Sequence, residues 1–548
     1  AKSVDIESVG SVIATGNNGF NAAETIKIVA ADNSSIYAAS TVPRVVTLNA
    51  DNKLNSEVVF DIEVNSITNL SLGGSSPILV KSPGSNLNAT TVTSTNSAGA
   101  AVEITPANVD LSNFASAIQV RLDNFDGRTV SVGQNQNIAF DAEIAQTSNV
   151  GTPTYNFITD ATSLTTNTIA ISTIDTKADN SSNTSVIAGL SLKDIQVLKF
   201  DLASDVNFQT SQNIVGDDLQ RVDITGSGDF TLDNSTIVGG TNSAISLDAS
   251  NFSGVLTATI DNTESGLKTL TTGSGDDLLT INGISSSSPG ITINSGSGND
   301  TISLTSNSDG SSAFITINGG DGTDTVNFAS ALDYSLSNIN LTAMEKLVFI
   351  GGVNPVKLPS NLLSAKNYNI AENGTGTLTL DIFPDAQVIN LSSLEFDSSV
   401  VTGTDKITLN GLNFTQALTI TGTILGDEIT GTHTSNDTIS SGDGNDTIDG
   451  SDGNDILTPG NGADHVTSGI GNDTINLAEV VGAVDTLHYE MDAGAGNVDT
   501  ISSFDVRVAN DIISLDVSEP TTPITFGNGS AAGAASAGTI SIYDHPLD

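Results

Sequence analysis

The chain has 548 residues, a formal net charge of -46 and no cysteine, and 37% of its residues are hydrophobic. That apolar content is too high for a disordered acidic tail, so the chain can build a core. The excess of acidic residues leaves no basic stripe to neutralise phosphates, which excludes nucleic-acid binding and opposes docking by charge on an anionic membrane.

The predicted elements are short β-strands along the whole chain. Runs such as TVTST, GITIN and TGTLTLDI alternate apolar and polar residues and are bounded by Gly, Asn, Asp and Ser. The segments MEKLVF and KDIQVLKFDLA are nearest to helical composition, but both end in alternating apolar residues and are predicted as strands. No run approaches the roughly 18 apolar residues that span a bilayer. We therefore expect an all-β chain without membrane insertion.

The first predicted region, residues 1–220, contains strand-like runs such as TIKIVAA and SEVVFDIEV without Gly-Asp turns. It is assigned to β-rich modules, either solenoid or sandwich. Exposed strand edges in such modules are templates for pairing with another chain. Composition shifts define three further regions. Residues 221–330 are predicted to form a β-solenoid with wide-spaced Gly-Asp turns, residues 331–420 to continue that solenoid, and residues 421–548 to form a β-roll of nine-residue repeats with an acidic C-terminal segment.

Region 221–330 carries three similar turns, TGSGDDLLT, SGSGNDTIS and GGDGTDTVN. Their aspartates, Asp277, Asp300 and Asp324, are 23 and 24 residues apart, so each repeat is predicted to form one whole coil. The three aspartates then stack on one edge, while Ser-rich turns and Pro289 occupy the other edge without metal. The related stretch TGSGDFTLD has Phe230 at the aspartate position, which predicts a metal-free turn.

Region 421–548 begins with a nine-residue repeat. Between Ser441 and Asn476 the frames read SGDGNDTID, GSDGNDILT, PGNGADHVT and SGIGNDTIN, with Gly at position four, Asp at position six and Ile, Leu or Val at position eight. An earlier frame, THTSNDTIS, keeps Asp437 but loses the glycines. Glycine allows the positive φ of a tight turn, and the residue at position eight of the following three-residue strand points into a narrow core.

This frame is the nonapeptide of calcium-binding parallel β-helix repeats. Two frames make one coil, so aspartates eighteen residues apart should stack, with Asp437, Asp455 and Asp473 on one edge and Asp446 and Asp464 on the other. Calcium takes six to eight hard oxygen ligands, which stacked turns offer as carboxylates and carbonyls. The alternative is that these are ordinary Gly-Asn-Asp turns that need no metal.

The predicted cofactor is therefore Ca²⁺, with several ions per chain. Two of the ions are expected between Asp277 and Asp300 and between Asp300 and Asp324. From Thr421 to Asp548 the chain has 21 acidic residues and one basic residue, Arg507, so bound cations would offset strong repulsion. The predicted metal ligands are Asp277, Asp300, Asp324, Asp437, Asp446, Asp455, Asp464 and Asp473.

Sequence features of an enzyme are weak. There is no His-Glu-x-x-His zinc motif and no Gly-x-Ser-x-Gly elbow. Basic residues are few and scattered, and the four histidines have no metal-ligand spacing. We expect no enzyme activity, with a β-helix enzyme acting on polysaccharide as the minor alternative. The four histidines are His433, His465, His488 and His545.

The nonapeptides resemble those of RTX proteins, which Gram-negative bacteria export by type I secretion. The rest of the chain resembles RTX surface-layer (S-layer) proteins in its Thr, Ser, Ala, Asn and Gly content and in the phrases NLTAMEKLVFIGG, LQRVDITGSG and VDTISSFDVRVANDIISLD. The resemblance implies a repeat that folds in millimolar calcium outside the cell, and a secreted structural protein at the cell surface. The implied partners are copies of itself in a lattice and a cell-surface polysaccharide bound through a region beyond this sequence. The alternative is a calcium-stiffened adhesin.

The two ends of the chain differ from the expected family pattern. AKSVDIESVG lacks the basic start and apolar stretch of a secretory signal, and GTISIYDHPLD does not resemble a typical export tail. We expect the chain to be a fragment of a longer protein.

Overall fold

The structure is a computed structural model that describes strand segments up to residue 193 and longer stretches from residue 195 onward. The sequence-based assignments for Pro289, His545 and the last residues of the chain lie outside the described part. The described residues are 3–7, 13–14, 25–30, 34–38, 44–50, 58–64, 67–74, 78–82, 91–94, 100–104, 109–111, 118–122, 130–132, 137–141, 155–158, 168–174, 185–187, 190–193, 195–203, 205–208, 214–216, 218–235, 237–239, 245–261, 267–282, 290–305, 314–328, 338–349, 355–373, 377–400, 404–480, 482–490, 499–504 and 511–516.

Short β-strands make up almost all of the regular structure. The first half contains β1 (Ser3–Glu7), β2 (Ile13–Ala14), β3 (Thr25–Ala30), β4 (Ser34–Ala38), β5 (Arg44–Ala50), β6 (Val58–Val64), β7 (Ile67–Gly74), β8 (Ile78–Ser82), β9 (Thr91–Ser94), β10 (Ala100–Ile104), β11 (Val109–Leu111), β12 (Ile118–Leu122), β13 (Val130–Val132), β14 (Asn137–Asp141), β15 (Tyr155–Ile158), β16 (Thr168–Ile174), β17 (Ser185–Ile187), β18 (Leu190–Lys193), β19 (Val197–Leu202), β20 (Val206–Phe208), β21 (Ile214–Gly216), β22 (Arg221–Gly226), β23 (Phe230–Ser235), β24 (Ile237–Gly239), β25 (Ile245–Phe252), β26 (Leu256–Asp261), β27 (Leu267–Thr271) and β28 (Leu278–Asn282).

The remaining strands follow at similar spacing, and in the described part of the chain one helical turn lies among them. They are β29 (Ile291–Asn294), β30 (Thr301–Leu304), β31 (Phe314–Asn318), β32 (Thr325–Phe328), β33 (Asn338–Thr342), β34 (Lys346–Phe349), β35 (Val356–Pro359), α1 (Ser360–Leu363), β36 (Asn369–Glu372), β37 (Thr379–Phe383), β38 (Val388–Asn390), β39 (Glu395–Phe396), β40 (Lys406–Asn410), β41 (Thr419–Thr421), β42 (Glu428–Thr430), β43 (Thr438–Asp443), β44 (Thr447–Asp449), β45 (Ile456–Asn461), β46 (His465–Thr467), β47 (Thr474–Asn476), β48 (Thr486–Glu490), β49 (Thr500–Ser502) and β50 (Ile512–Asp516).

The chain divides into two compact units. The first comprises Ala1–Ile302 and Ile315–Gly322, and the second Ser303–Phe314 and Thr323–Asp548. The boundaries inferred from composition, near residues 220, 330 and 421, stay predictions.

In the first unit, consecutive strands pair with strands of the next coil rather than with their sequence neighbours. One sheet has the order β1-β3-β5-β7-β9, a second runs from β2 through β4 and β6 to β29 and β31, and a third has the order β11-β13-β15-β18-β21-β24. The pairs are parallel, as between β3 and β5 and between β16 and β19. Parallel stacking of successive coils is the arrangement of a β-solenoid, so the described strands of residues 1–220 form a solenoid rather than a sandwich.

The second unit is built the same way. Its long sheets have the orders β35-β37-β40-β42-β44-β46-β48-β50 and β38-β41-β43-β45-β47-β49. In the nonapeptide region the strands β44, β46 and β47 are three residues long, as the repeat predicts, whereas β43 and β45 are six residues long. The prediction of an all-β parallel solenoid is confirmed in both units.

Columns of identical or similar apolar side chains form the core. In the first unit Ile26 is in register with Val46, and Val46 with Leu70. In the second unit Ile439 is in register with Leu457, and Leu457 with Ile475. These side chains are buried. Position eight of each nonapeptide therefore points inward, and each added coil extends the apolar column by one side chain.

Both segments of near-helical composition are strands, because their apolar residues alternate with polar ones. KDIQVLKFDLA contains β19, in which alternate residues are buried, and MEKLVF contains β34. Among the described residues, no helix has the length and apolar character needed to cross a membrane.

Candidate metal sites

Two columns of aspartates line the nonapeptide region, each residue standing directly before a strand. In the first column, here called the 455 ladder, the backbone N–H of Asp437 donates to Oδ1 of Asp455 at 2.7 Å. The N–H of Asp455 donates to Oδ1 of Asp473 at 2.8 Å, and that of Asp473 to Oδ1 of Asp499 at 2.9 Å. The structure thus stacks the three predicted ligands of this edge and adds Asp499.

The second column, here called the 446 ladder, has the same construction. The N–H of Asp446 donates to Oδ1 of Asp464 at 2.8 Å, and the N–H of Asp464 to Oδ1 of Asp485 at 3.0 Å. The ladder begins with Asp427, whose N–H donates to Asp446, and extends to Asp511, which accepts from the N–H of Asp485. Each carboxylate therefore ties its own coil to the preceding one.

The wide-spaced turns use the same bond. In the first unit, Oδ1 of Asp277 accepts from the N–H of Leu256 at 2.7 Å, and the N–H of Asp277 donates to Oδ1 of Asp300 at 2.8 Å. In the second unit, the N–H of Asp324 donates to Oε2 of Glu345 at 2.7 Å. All three predicted aspartates are buried, and Glu345 is an acidic neighbour that the repeat did not predict.

The second carboxylate oxygen, Oδ2, indicates where a metal ion could bind. In six of these aspartates Oδ2 is buried and has no hydrogen-bond partner. A buried ionised oxygen without a donor is unfavourable unless a proton or a cation compensates it. The six are Asp277, Asp446, Asp455, Asp464, Asp473 and Asp485.

Burial raises the pKa of these carboxyl groups. Desolvation raises the pKa of Asp446 and Asp473 to about 6 and that of Asp455 and Asp464 to about 7. The pKa of Asp485 rises to about 7 for the same reason. Within each ladder the neighbouring carboxylates add repulsion that acts in the same direction. Without a cation, the array therefore favours protonated carboxyls, whereas a divalent ion would stabilise the charged form.

Glycines keep the space beside these oxygens open. A Cβ at Gly450 would lie 2.8 Å from Oδ2 of Asp455, and a Cβ at Gly453 would lie 2.8 Å from Oδ1 of the same residue. Gly453 also has a positive φ of 154°, as the tight turn requires. The glycines of the repeat thus permit both the turn and the close approach of the carboxylate oxygens to the backbone.

The carboxylate of Asp437 is in a different environment. Its Oδ1 accepts from the N–H of Leu418 at 2.7 Å, and its Oδ2 accepts from both the N–H and the hydroxyl of Thr432 at 2.6 and 2.9 Å. Asp427 is bonded in the same way by Thr423. Both turns are closed by protein donors, which matches the loss of glycines in the THTSNDTIS frame. The role of Asp437 as a metal ligand stays a prediction.

A second, outer ladder runs along position five of the repeat. The N–H of Asn454 donates to Oδ1 of Asn436 at 2.9 Å, and the N–H of Asn472 donates to Oδ1 of Asn454 at 2.8 Å. These bonds run opposite to those at position six, from the later coil back to the earlier one. The Asn-Asp pair of the consensus thus joins each coil to both of its neighbours.

The turn with Phe230 keeps only the outer ladder. The N–H of Asp229 donates to Oδ1 of Asp205 and its own Oδ1 accepts from the N–H of Val255, both at 2.9 Å. Phe230, which replaces the position-six aspartate, is buried in the core. This turn therefore lacks the inner carboxylate, and the expectation of a metal-free turn stays a prediction.

The donor set of the ladders fits calcium. It consists of carboxylate oxygens with buried orphan atoms, glycine-lined space and backbone carbonyls at the same turns, and calcium prefers oxygen ligands in flexible number. Asp446, Asp455, Asp464 and Asp473 would hold the ions in the repeat, and Asp277 and Asp300 in the first unit. The bound charge would offset the repulsion of stacked carboxylates.

Sequence reasoning missed several members of the ladders because insertions break the nine-residue register. The local signal survives, since these four residues stand in GDEI, VDTL, VDTI and NDII, which keep the Asp-polar-apolar order of NDTI or replace its polar residue by Ile. The missed members are Asp427, Asp485, Asp499 and Asp511.

Within the described part of the chain, no histidine side chain takes part in the ladders. His465 is exposed at the start of β46, His433 is exposed in a turn, and His488 is half-buried in β48.

Comparison with known proteins identifies the repeat. The family model of the RTX calcium-binding nonapeptide repeat (4 copies) matches residues 433–466 and 440–475. No curated protein and no solved structure matches the chain. Calcium-binding nonapeptides within a β-solenoid fit an RTX protein, and RTX repeat proteins are typically secreted. These features suggest a secreted, calcium-binding structural or adhesin-like protein.

Proposed function

We propose that this protein is a component of a bacterial surface layer, secreted to the outside of a Gram-negative cell and assembled with copies of itself into a two-dimensional lattice. The observation that carries the proposal is the column of buried aspartate Oδ2 atoms without donors. Such a scaffold is complete only with bound cations, which ties its folding to the high calcium concentration outside the cell. The outcome is a rigid repetitive scaffold whose formation depends on calcium.

Calcium would act by mass action on the folded state. An ion that binds only the stacked coils stabilises them by about 2.7 kcal/mol per site at a free concentration 100-fold above its Kd. Several such sites along the ladders would convert an unstable acidic chain into a stable solenoid.

Exposed acidic residues would extend the same chemistry to assembly. Asp321 and Asp443 occupy position three of their turns and are exposed. Carboxylates at turn tips of two neighbouring copies can share a calcium ion, because calcium accepts ligands from several chains. Calcium would then control both folding, through ions in the buried ladders, and lattice formation, through ions shared between copies.

We also propose that the protein is not an enzyme. A cleft of about 290 Å³ in the second unit is lined by Asp381, Phe383, Pro384, Thr408, Asn410, Asn413 and Phe414. This lining includes one carboxyl group and no histidine or basic residue, whereas acid–base hydrolysis of a polysaccharide needs a pair of carboxyl groups. The lining supports a structural role in preference to the polysaccharide-acting alternative.

The test is a calcium titration of chelator-treated protein, with particle size followed by light scattering and particle order by negative-stain microscopy. Ordered sheets or closed shells with calcium, and none with magnesium, are the expected result. Protein that gains strand structure with calcium but stays monomeric would replace the surface-layer proposal with the adhesin reading. A chain that does not respond to calcium would overturn both.

A variant with Asp321→Asn and Asp443→Asn separates folding from assembly. It keeps the buried ladders, so it should fold at the same calcium concentration as the unmodified chain, as followed by circular dichroism. Assembly should require more calcium if the exposed carboxylates share ions between copies. Unchanged assembly would assign the lattice contacts to other surfaces.

A further inference from the structure

Beyond residue 475, where the match to the repeat family ends, the chain leaves the nonapeptide register and forms a longer connection from Leu477 to Val484. The connection brings Glu479 against the 446 ladder. Carboxylate oxygens of Asp464, Glu479 and Asp485 all lie within 4.8 Å of one another. Asp485 belongs to the 446 ladder, whereas no repeat position assigns Glu479 a role.

In each of these three carboxylates, one oxygen accepts a hydrogen bond and the other accepts none. Oδ1 of Asp464 accepts from the N–H of Asp446, Oδ1 of Asp485 accepts from the N–H of Asp464, and Oε2 of Glu479 accepts from the N–H of Ala483 at 2.6 Å. The remaining oxygens, Oδ2 of both aspartates and Oε1 of Glu479, are buried and have no hydrogen-bond partner.

Burial makes this arrangement unfavourable without a cation. Asp464 and Asp485 are each only 1% exposed. Three carboxylates with orphan oxygens at this separation repel one another strongly in a poorly solvated site. A single cation bound among the three carboxylates would offset this repulsion.

The connection holds Glu479 in place from both sides. The N–H of Leu477 donates to the carbonyl of Ser502 at 3.1 Å, and the N–H of Val480 donates to Oδ1 of Asn461 at 2.8 Å. The position of Glu479 beside the ladder is therefore fixed by the hydrogen-bonded backbone around it. The backbone on either side of it, at Leu477 and Val480, is bonded to the coils after and before it.

We propose that Asp464, Glu479 and Asp485 form a divalent-cation site that is selective for calcium. In this site the carboxylate of Glu479 is a ligand, and it stands in the place of the glycine-rich turn of the repeat. The all-oxygen ligand set favours calcium or magnesium over zinc. Two of the carboxylates stand before strands and the third lies in a connection. Such an irregular arrangement suits the flexible coordination geometry of calcium better than the strict octahedron of magnesium. The site continues calcium binding one coil past the recognised repeats and does not depend on lattice assembly.

The test counts ions on the full-length chain by native mass spectrometry over a series of free calcium concentrations, with terbium luminescence as a second measure of affinity. Glu479→Gln removes one charge and one ligand oxygen at nearly constant size. The matched control is Glu395→Gln, which removes the same charge from an exposed residue at β39 of the same unit. Circular dichroism in saturating calcium monitors strand content.

We expect Glu479→Gln to bind one ion fewer than the unmodified chain, or to bind its weakest ion at least about tenfold less tightly, with Glu395→Gln unchanged. Equal counts and equal affinities in all three proteins would overturn the site. If Glu479→Gln loses strand content, the variant Glu479→Asp distinguishes a ligand role of Glu479 from a structural role. Retention of the ion with weaker affinity in Glu479→Asp supports a ligand, whereas the same loss of structure in both variants would make Glu479 a structural residue and overturn the proposal.

Discussion

The backbone N–H of Asp437 donates a 2.7 Å hydrogen bond to Oδ1 of Asp455, yet the second oxygens of these two carboxylates differ completely. Oδ2 of Asp437 accepts two bonds from Thr432, whereas Oδ2 of Asp455 is buried without a partner. One repeat position thus holds a carboxylate completed by protein and, one coil later, a carboxylate that needs a cation. The predicted ligand role of Asp437 can therefore be tested separately from that of Asp455.

Substitution of these two aspartates by asparagine should change different quantities, the number of bound ions at Asp455 and the free energy of unfolding at Asp437. Asp455→Asn removes a charge that the ion requires, so the chain should bind at least one calcium ion fewer, as counted by native mass spectrometry. Asp437→Asn places an amide N–H against the donors of Thr432, which should cost about 1–3 kcal/mol of unfolding free energy without changing the ion count. Loss of an ion from Asp437→Asn alone would contradict this assignment.

The calcium-free protein should be more stable in mild acid than at neutral pH. Burial raises the pKa of Asp446 to about 6 and that of Asp455 and Asp464 to about 7, whereas an unfolded aspartate titrates near about 3.9. Because the folded state binds these protons more tightly, the stability they provide is full below about pH 4 and is lost as the pH rises through 6 to 7.

Calcium should reverse that trend, because the ion binds the ionised carboxylates and competes with protons. Urea unfolding midpoints measured at pH 5 and pH 7.5, with chelator and with millimolar calcium, check both signs. With chelator the midpoint should fall from pH 5 to pH 7.5, and the gain on adding calcium should be larger at pH 7.5. A midpoint that rises with pH in chelator would show that these carboxyls are not desolvated.

The turns of the repeat should tolerate side chains at only some positions. Gly462 has a φ of 138°, and a Cβ there would overlap the carbonyl oxygen of Gly444 in the preceding coil. Gly462→Ala should therefore destabilise the protein by more than about 2 kcal/mol. Ser451 adopts a φ of 65° at a position where other frames have glycine, so Ser451→Gly should leave stability unchanged or raise it by up to about 1 kcal/mol. Thermal unfolding in calcium measures both, and equal effects would contradict the steric explanation.

Sequence periodicity predicts the solenoid well because the core is a one-dimensional stack. Position eight of the frame, in residues such as Ile448 and Val466, alternates with polar neighbours, and the structure places both in one buried column. The eighteen-residue spacing likewise predicts that Asp446 lies next to Asp464. A local repeat determines which residues stack as long as the coil length is constant.

Residues outside that constant register could not be predicted in the same way. Asp485 follows a connection of different length, and Glu479 reaches the ladder through the fold of that connection rather than through a repeat position. The protection of Asp437 by Thr432 depends on hydrogen-bond geometry that a frame does not encode. The glycines missing from that frame were the available signal.

The asparagines at position five should contribute to stability but not to calcium binding. Oδ1 of Asn454 accepts the N–H of Asn472, and the N–H of Asn454 donates to Asn436. Asn454→Ala removes one acceptor between two coils, which should cost about 1 kcal/mol, while the orphan Oδ2 of Asp455 is untouched. Asn367→Ala, at an exposed residue outside the ladders, is the control. Urea unfolding in saturating calcium, together with ion counting by native mass spectrometry, measures both quantities. A lower ion count in Asn454→Ala would assign position five to the metal site, because the outer ladder would then be shaping the inner one.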